Sequence, residues 1–177
     1  LLQGTLTAGN STPLTDGASC VLMASEAWAH DRGIPVQAHL THAATAAVDF
    51  VAGEGLLMAP TVAVAQLLTQ TGLRLQDFDF YEIHEAFAAQ VLCTLQAWES
   101  EDYCRKRLGL PAALGAIDPA RINVKGSSLA FGHPFAATGA RIVAVLAKLL
   151  AEKGSGRGLI SICTAGGMGV AAILERP

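Results

Sequence analysis

Charge is scarce in this chain: Asp, Glu, Lys and Arg make up only 15% of its 177 residues, against 51% hydrophobic residues and a mean hydropathy of +0.40. No apolar run approaches the roughly 18 residues that a membrane helix needs, so the apolar surplus points to cover by another domain or subunit rather than by lipid. Basic clusters are lacking too. With a net charge of -3, a pI of about 5.9 and scattered lysines and arginines, no electrostatic footprint for nucleic acid is present. The four cysteines, Cys20, Cys93, Cys104 and Cys163, lack zinc-ligand spacing and the density of a secreted disulfide scaffold, which fits a reducing cytoplasm. The opening Leu1-Leu2-Gln3-Gly4-Thr5-Leu6-Thr7 has no methionine and reads as neither a signal nor a transit peptide, so a fragment is expected. The length suffices for one well-buried domain, or one domain plus a piece of a second.

What is present is organised around Asn123 to Arg141, NVKGSSLAFGHPFAATGAR. Leu129-Ala130-Phe131 is expected to enter as extended chain, Gly132-His133-Pro134 to turn, and Ala140 to Leu150 to form a helix with apolar residues at i, i+3, i+4 and i+7. Pro134 lacks an N–H and biases His133 toward extended backbone, so the imidazole is constrained before tertiary contacts form. Taken alone, a turn histidine more often caps a helix or satisfies a loop carbonyl than performs chemistry.

Earlier in the chain, Thr5–Ala8 and Ala18–Met23 read as short extended segments around the loop Asn10-Ser11-Thr12-Pro13-Leu14-Thr15-Asp16-Gly17, most simply a connection. Ser25 can N-cap a short helix ending at Gly33. Val36 to Leu40 is strand-like, and Thr41 to Met58 is ambiguous. Ala59-Pro60 opens a helix that buries Val64, Leu67 and Leu68 and closes at Gly72. Phe78 to Ile83 reads as a strand. His84-Glu85-Ala86-Phe87 begins the next helix, with Phe87, Val91, Leu92, Leu95 and Trp98 facing inward.

His84 therefore falls at a strand-to-helix junction, where open α/β sheets place ligands, although capping is the commoner role. Glu85 is expected in the helix's first turn, complementing its dipole. Residues 99 to 121 are polar, with a solvated helix near Asp102–Leu108 and no assigned chemistry. Leu159 to Cys163 and Val170 to Leu174 are strands joined by Thr164-Ala165-Gly166-Gly167-Met168-Gly169. Free cysteine is usually inert, but glycines beside Cys163 allow close backbone approach and oxyanion donors. The turn precedes a strand and lacks the Walker lysine, so it is not a phosphate loop.

The ordered set Asn10 to Ala18, His84-Glu85-Ala86-Phe87-Ala88, Asn123-Val124 through Gly132-His133-Pro134, Gly139-Ala140-Arg141 and Cys163 to Gly169 resembles the carboxy-terminal half of a thiolase over essentially the whole chain. Its His-Glu-Ala-Phe form and Ser-Thr-Pro-Leu-Thr-Asp-Gly loop resemble the fatty-acid-oxidation branch, the trifunctional-complex β-subunit type, more than the biosynthetic branch. The resemblance implies an α/β fold, with a five-stranded mixed sheet and helices on both faces in each of two similar domains. Residues 1–32 would be the last segment of the amino-terminal domain and 33–177 the carboxy-terminal domain.

The implied reaction converts 3-ketoacyl-CoA and CoA to acyl-CoA and acetyl-CoA in β-oxidation, with coenzyme A as a substrate and neither cofactor nor metal. By the same resemblance, His133 takes the proton of a nucleophilic cysteine and donates to the enolate oxyanion, and His84 replaces an asparagine that holds a water there. Cys163 is the second acid/base, and a thiol near neutrality in pKa can work in both directions. The N–H of Ala165, where most thiolases have glycine, belongs to the acyl oxyanion hole, and Thr12 touches the pantetheine arm. Implied partners are acyl-CoA and CoA, the missing amino-terminal domain, a second copy in a homo-oligomer, and an α-subunit of a β-oxidation complex.

No cysteine here matches the first-domain nucleophile, so the chain alone is expected to be inactive. The alternatives are a biosynthetic acetoacetyl-CoA thiolase, or a non-catalytic thiolase-like subunit that binds acyl-CoA. Ketoacyl synthases and HMG-CoA synthase share the superfold but have His or Asn in place of the Cys163 motif.

Overall fold

The computed structural model describes residues 4–177; residues 1–3, read above as part of the opening without targeting character, lie outside them. Four strands make one mixed sheet: β1 (His39–Ala47), β2 (Phe80–Ile83), β3 (Gly156–Thr164) and β4 (Met168–Arg176), in the order β1-β4-β3-β2. β2 and β3 run parallel, and the other pairs are antiparallel. The helices are α1 (Glu26–Asp31), α2 (Ala59–Thr71), α3 (Ala88–Glu99), α4 (Glu101–Arg107), α5 (Ser128–Phe131) and α6 (Ala136–Lys153).

Alternation along β3 and β4 explains why both read as continuous apolar runs. Leu159, Ala171 and Ile173 face a core shared with Val64 and Leu67 of α2 and Trp98 of α3. Ile160, Ala172 and Leu174 face Ile142, Leu146 and Leu150 of α6. A strand buried on both faces carries no polar-side period.

The mixed α/β sheet covered on both faces is as the sequence implies, but it has four strands among the described residues rather than five. A fifth position exists beside β2, where Ile122 makes one parallel bridge to Tyr81 and the Asn123 N–H donates to the Tyr81 carbonyl at 2.9 Å. Asn123 then adopts φ 47°, a left-handed conformation that ends the pairing after one bridge.

The helix around Ser25 and the one closed by Gly72 form as expected, with Ser25 accepting from the Trp28 N–H. Several expectations need correction. Ala18–Met23 is irregular and, among the described residues, pairs with no strand, which leaves Leu22 and Met23 exposed. Leu129–Phe131 belongs to α5 rather than to extended chain. α3 starts at Ala88, so His84–Phe87 is loop. Leu92 is 64% exposed, since the buried face of α3 is Gln90, Thr94, Ala97 and Trp98. Among the described residues, no helix is long and apolar enough to cross a membrane.

Gly169 opposes Cys163 in the β3–β4 ladder and lies under the start of α2. A Cβ there would stand 2.5 Å from the Pro60 nitrogen and 2.7 Å from the Ala59 carbonyl carbon, both backbone atoms that cannot swing aside. Gly169→Ala is therefore expected to lower stability by about 1–3 kcal/mol, read as a shift in the urea midpoint. An unchanged midpoint would mean that α2 can lift off the sheet without cost.

Candidate active site

The parallel pair β2–β3 ends with Ile83 opposite Ser161, and the His84 N–H continues the ladder by donating to the Ser161 carbonyl at 2.9 Å. His84 and Cys163 thus leave neighbouring strands at their carboxyl ends, both nearly inaccessible at 2% and 5% exposure. His133, ahead of α6, closes over the same end: its ring centroid lies 4.5 Å from that of His84, with the planes at 47°.

Each imidazole has one nitrogen committed. His84 Nδ1 is 2.9 Å from Ser128 Oγ, and His133 Nδ1 is 2.6 Å from Thr138 Oγ1. In both rings Nε2 remains the working nitrogen. Burial, the adjacent His133 and the Arg141 guanidinium lower the His84 pKa to about 4. Burial and Arg141 also lower that of His133. Both rings are neutral at pH 7, as a proton acceptor must be. Burial pushes the Cys163 thiol up to about 11, partly offset by its own N–H and that of Ala86. Cys163 therefore rests as a thiol, poised to donate a proton.

Three loops interlock to hold this arrangement. The segment 10–17 makes no hairpin; it brackets the two histidine loops. Thr12 donates its hydroxyl to the Glu85 carbonyl and its N–H to the Ala86 carbonyl, and the His133 N–H donates to the Pro13 carbonyl at 3.0 Å. Thr15 packs so tightly on Gly132, which has φ 86°, that a Cβ there would fall 2.4 Å from Thr15 Oγ1. Glu85 is not a first-turn helix residue. Its carboxylate accepts from Asn123 Nδ2 at 2.7 Å and from the Leu129 N–H at 3.0 Å, tying the His84 loop to the segment before His133.

Asn123 completes the brace through both backbone groups of Ile83: Oδ1 accepts its N–H at 2.8 Å, and Nδ2 donates to its carbonyl at 2.9 Å. Asn123→Ala would strand the Ile83 N–H and one Glu85 carboxylate oxygen and leave the Ile83 carbonyl only the Ser127 hydroxyl at 3.4 Å, so a loss of about 3 kcal/mol is expected on urea unfolding. A loss below 1 kcal/mol would show that the brace is dispensable.

Ala165 is exposed in the β3–β4 turn. Of the glycines that follow, Gly166 faces open space, whereas Gly167 and Gly169 answer to packing against Val48 and α2. Cys20, Cys93 and Cys104 do not join the pair of histidines. Cys104 is buried against the Ala97 and Trp98 carbonyls, Cys93 is exposed on α3, and Cys20 lines a cavity of about 670 Å³ between residues 20–40 and α6. Among the described residues, no three His, Cys, Asp or Glu side chains gather as metal ligands would.

Residues with no role assigned from sequence also converge here. Ser128 links His84 to Arg141, whose Nη2 donates to its hydroxyl at 3.0 Å. Glu82, fully buried on β2, is influenced by Arg141. The signal that could have found Glu82 is a carboxylate in an otherwise apolar strand. Arg141 was visible only as part of a motif.

Two neutral imidazoles and a protonated thiol thus gather at the carboxyl end of the parallel pair β2–β3 in an α/β domain, an arrangement that can accept and donate protons. Residues 34–176 match the family model described as Thiolase, C-terminal domain. The chain belongs to the thiolase family. It is 44% identical over 173 residues to the 3-ketoacyl-CoA thiolase of Shewanella baltica (strain OS185), covering 98% of this chain and 39% of that protein. The chain thus spans about two fifths of the length of the curated relatives it matches. Among solved structures, the dimeric peroxisomal thiolase of Saccharomyces cerevisiae is similar at 36% identity and a TM-score of 0.78, covering 99% of this chain and 39% of that one. The Bacillus anthracis acetyl-CoA acetyltransferase is similar at 34% and 0.78, covering 97% and 39%.

Proposed function

We propose that this chain is the carboxy-terminal part of a degradative 3-ketoacyl-CoA thiolase of β-oxidation, with residues 1–32 closing the amino-terminal domain and 33–177 forming the carboxy-terminal one. The observation that carries this reading is the approach of the His84 and His133 rings to 4.5 Å between centroids, beside the strand end that bears Cys163. The 44% identity to a 3-ketoacyl-CoA thiolase supports the substrate class.

In this reading His133 Nε2 takes the proton of a cysteine supplied by the amino-terminal domain, and the thiolate attacks the 3-keto carbon. The C2–C3 bond breaks and its electron pair moves into a thioester enolate, whose oxygen is held by His133 and His84, directly or through a water. Cys163 delivers its proton to C2 and releases acetyl-CoA. The Cys163 thiolate then takes the proton of incoming CoA, and the CoA sulfur attacks the acyl-enzyme carbonyl, polarised by the Ala165 N–H, giving acyl-CoA and expelling the cysteine thiolate, which regains its proton from His133. Thr12, fixed to the Glu85 loop, borders the path of the pantetheine arm. Coenzyme A is a substrate, and the scheme uses no cofactor or metal.

Exposed Leu14, Leu22, Met23, Phe131 and Phe135 support cover by the amino-terminal domain and by a second copy, as in the dimeric yeast relative. The four free cysteines support a reducing cytoplasm. An α-subunit carrying the preceding steps of β-oxidation is a further proposed partner. The test is CoA-dependent cleavage of a 3-ketoacyl-CoA to acetyl-CoA by the chain joined to a complete thiolase amino-terminal domain, with the 177-residue chain as control. Turnover only in the joined protein is the expected result; binding of acyl-CoA without cleavage would leave a non-catalytic subunit.

A further inference from the structure

The environment of His84 decides which of its ring nitrogens carries the proton. Ser128 Oγ is fully buried and has two polar side-chain neighbours among the described residues: Arg141 Nη2 at 3.0 Å and His84 Nδ1 at 2.9 Å. A guanidinium has five donors and no acceptor, so Arg141 can only give a hydrogen to the serine oxygen. The serine hydrogen then has one acceptor within reach, His84 Nδ1. If Nδ1 instead carried a proton, Ser128 Oγ would receive two donors and its own buried O–H would be left unpaired, a cost of about 1–3 kcal/mol.

We infer that Arg141 and Ser128 are positioning residues that lock His84 in the tautomer with its proton on Nε2. Burial lowers the Arg141 pKa, opposed by the Glu82 and Glu85 carboxyls, and a guanidinium starting from 12.5 stays charged at neutral pH and so remains a donor. The consequence concerns the oxyanion site and rests on the reading of His84 proposed above. An Nε2–H donates to an enolate oxygen directly. If a water intervenes, it donates to that water's oxygen and leaves both water hydrogens free for the enolate. The opposite tautomer would present a lone pair to the developing negative charge.

The test is a long-range proton–nitrogen correlation spectrum of the intact protein labelled with nitrogen-15 at histidine, with the His84 signals identified by their loss in His84→Gln. The expected result is a protonated Nε2 and a bare Nδ1 at neutral pH. In Ser128→Ala the His84 signals should shift toward a mixture of both tautomers while His30, His39 and His42 stay in place. A protonated Nδ1 in the native protein, or native tautomer populations in a folded Ser128→Ala, overturns the inference. If Ser128→Ala does not fold, the native spectrum decides alone. The functional reading is tested separately: unchanged thiolysis in His84→Gln would remove the oxyanion role, while an Nε2–H spectrum would still uphold the lock.

Discussion

In the chain joined to a thiolase amino-terminal domain, Cys163→Ala is expected to lower the rate of the proposed CoA-dependent cleavage by about two to four orders of magnitude, the usual range for loss of a general acid/base. The thiol is 5% exposed, and burial holds it protonated at neutral pH, so it can give a proton to the C2 carbanion but is a costly place for a lasting negative charge. Alanine removes the donor while changing little volume, so thermal unfolding should move by only a few degrees. A second readout separates the chemical role from a packing one. If Cys163 protonates C2, the reverse step removes a methyl proton from acetyl-CoA, and incubation in heavy water should label that methyl with native protein and not with Cys163→Ala. Near-native cleavage, or undiminished labelling, would sink the assignment and move the acid to another group.

The parts of this domain legible in the sequence are those fixed by local chemistry. Pro60 in the first turn of α2 and Gly72 at its end, the cap at Ser25 and the apolar period of α6 all act over a few residues, and each appears where expected. The strand end carrying His84 and the turn after Cys163 were legible for the same reason. What was illegible depends on contacts between distant segments. Leu129–Phe131 has strand-like composition but coils into α5, because Ser127 accepts the Ala130 N–H in a tight turn and Glu85, 44 residues away, holds the Leu129 N–H. The loop 10–17 looks like a connection, and only its meshing with Gly132 and Pro134 makes it a clamp. Of the glycines after Cys163, composition suggests oxyanion donors, yet Gly169 answers to the backbone of α2. Ser128 shows nothing locally that would separate it from Ser127.

The pair Glu82 and His84, two residues apart on one strand end, should hide each other's effect on stability. Burial raises the Glu82 carboxyl from 4.5 to about 7, so the folded chain retains a proton that the unfolded chain loses. The resulting stability is fully present below pH 4.5 and is lost as pH rises through 7. His84 falls from 6.5 to about 4, so the folded chain refuses a proton that the unfolded chain accepts. Its stability is fully present above pH 6.5 and is lost as pH falls through 4. Each difference corresponds to about 3 kcal/mol, and over pH 4.5–6.5 the slopes oppose one another. Glu82→Gln should uncover the histidine, with unfolding free energy in urea rising by about 3 kcal/mol between pH 4 and 6.5 relative to the native protein's profile. His84→Gln should uncover the carboxyl and give a fall of about the same size between pH 4.5 and 7. The lowered carboxyls Asp77, Asp79 and Glu175 and the lowered His133 are common to all three proteins and cancel in the comparison. Parallel profiles for native and Glu82→Gln would mean that Glu82 is ionised in the fold, paired with Arg141, and that burial is not what sets its charge.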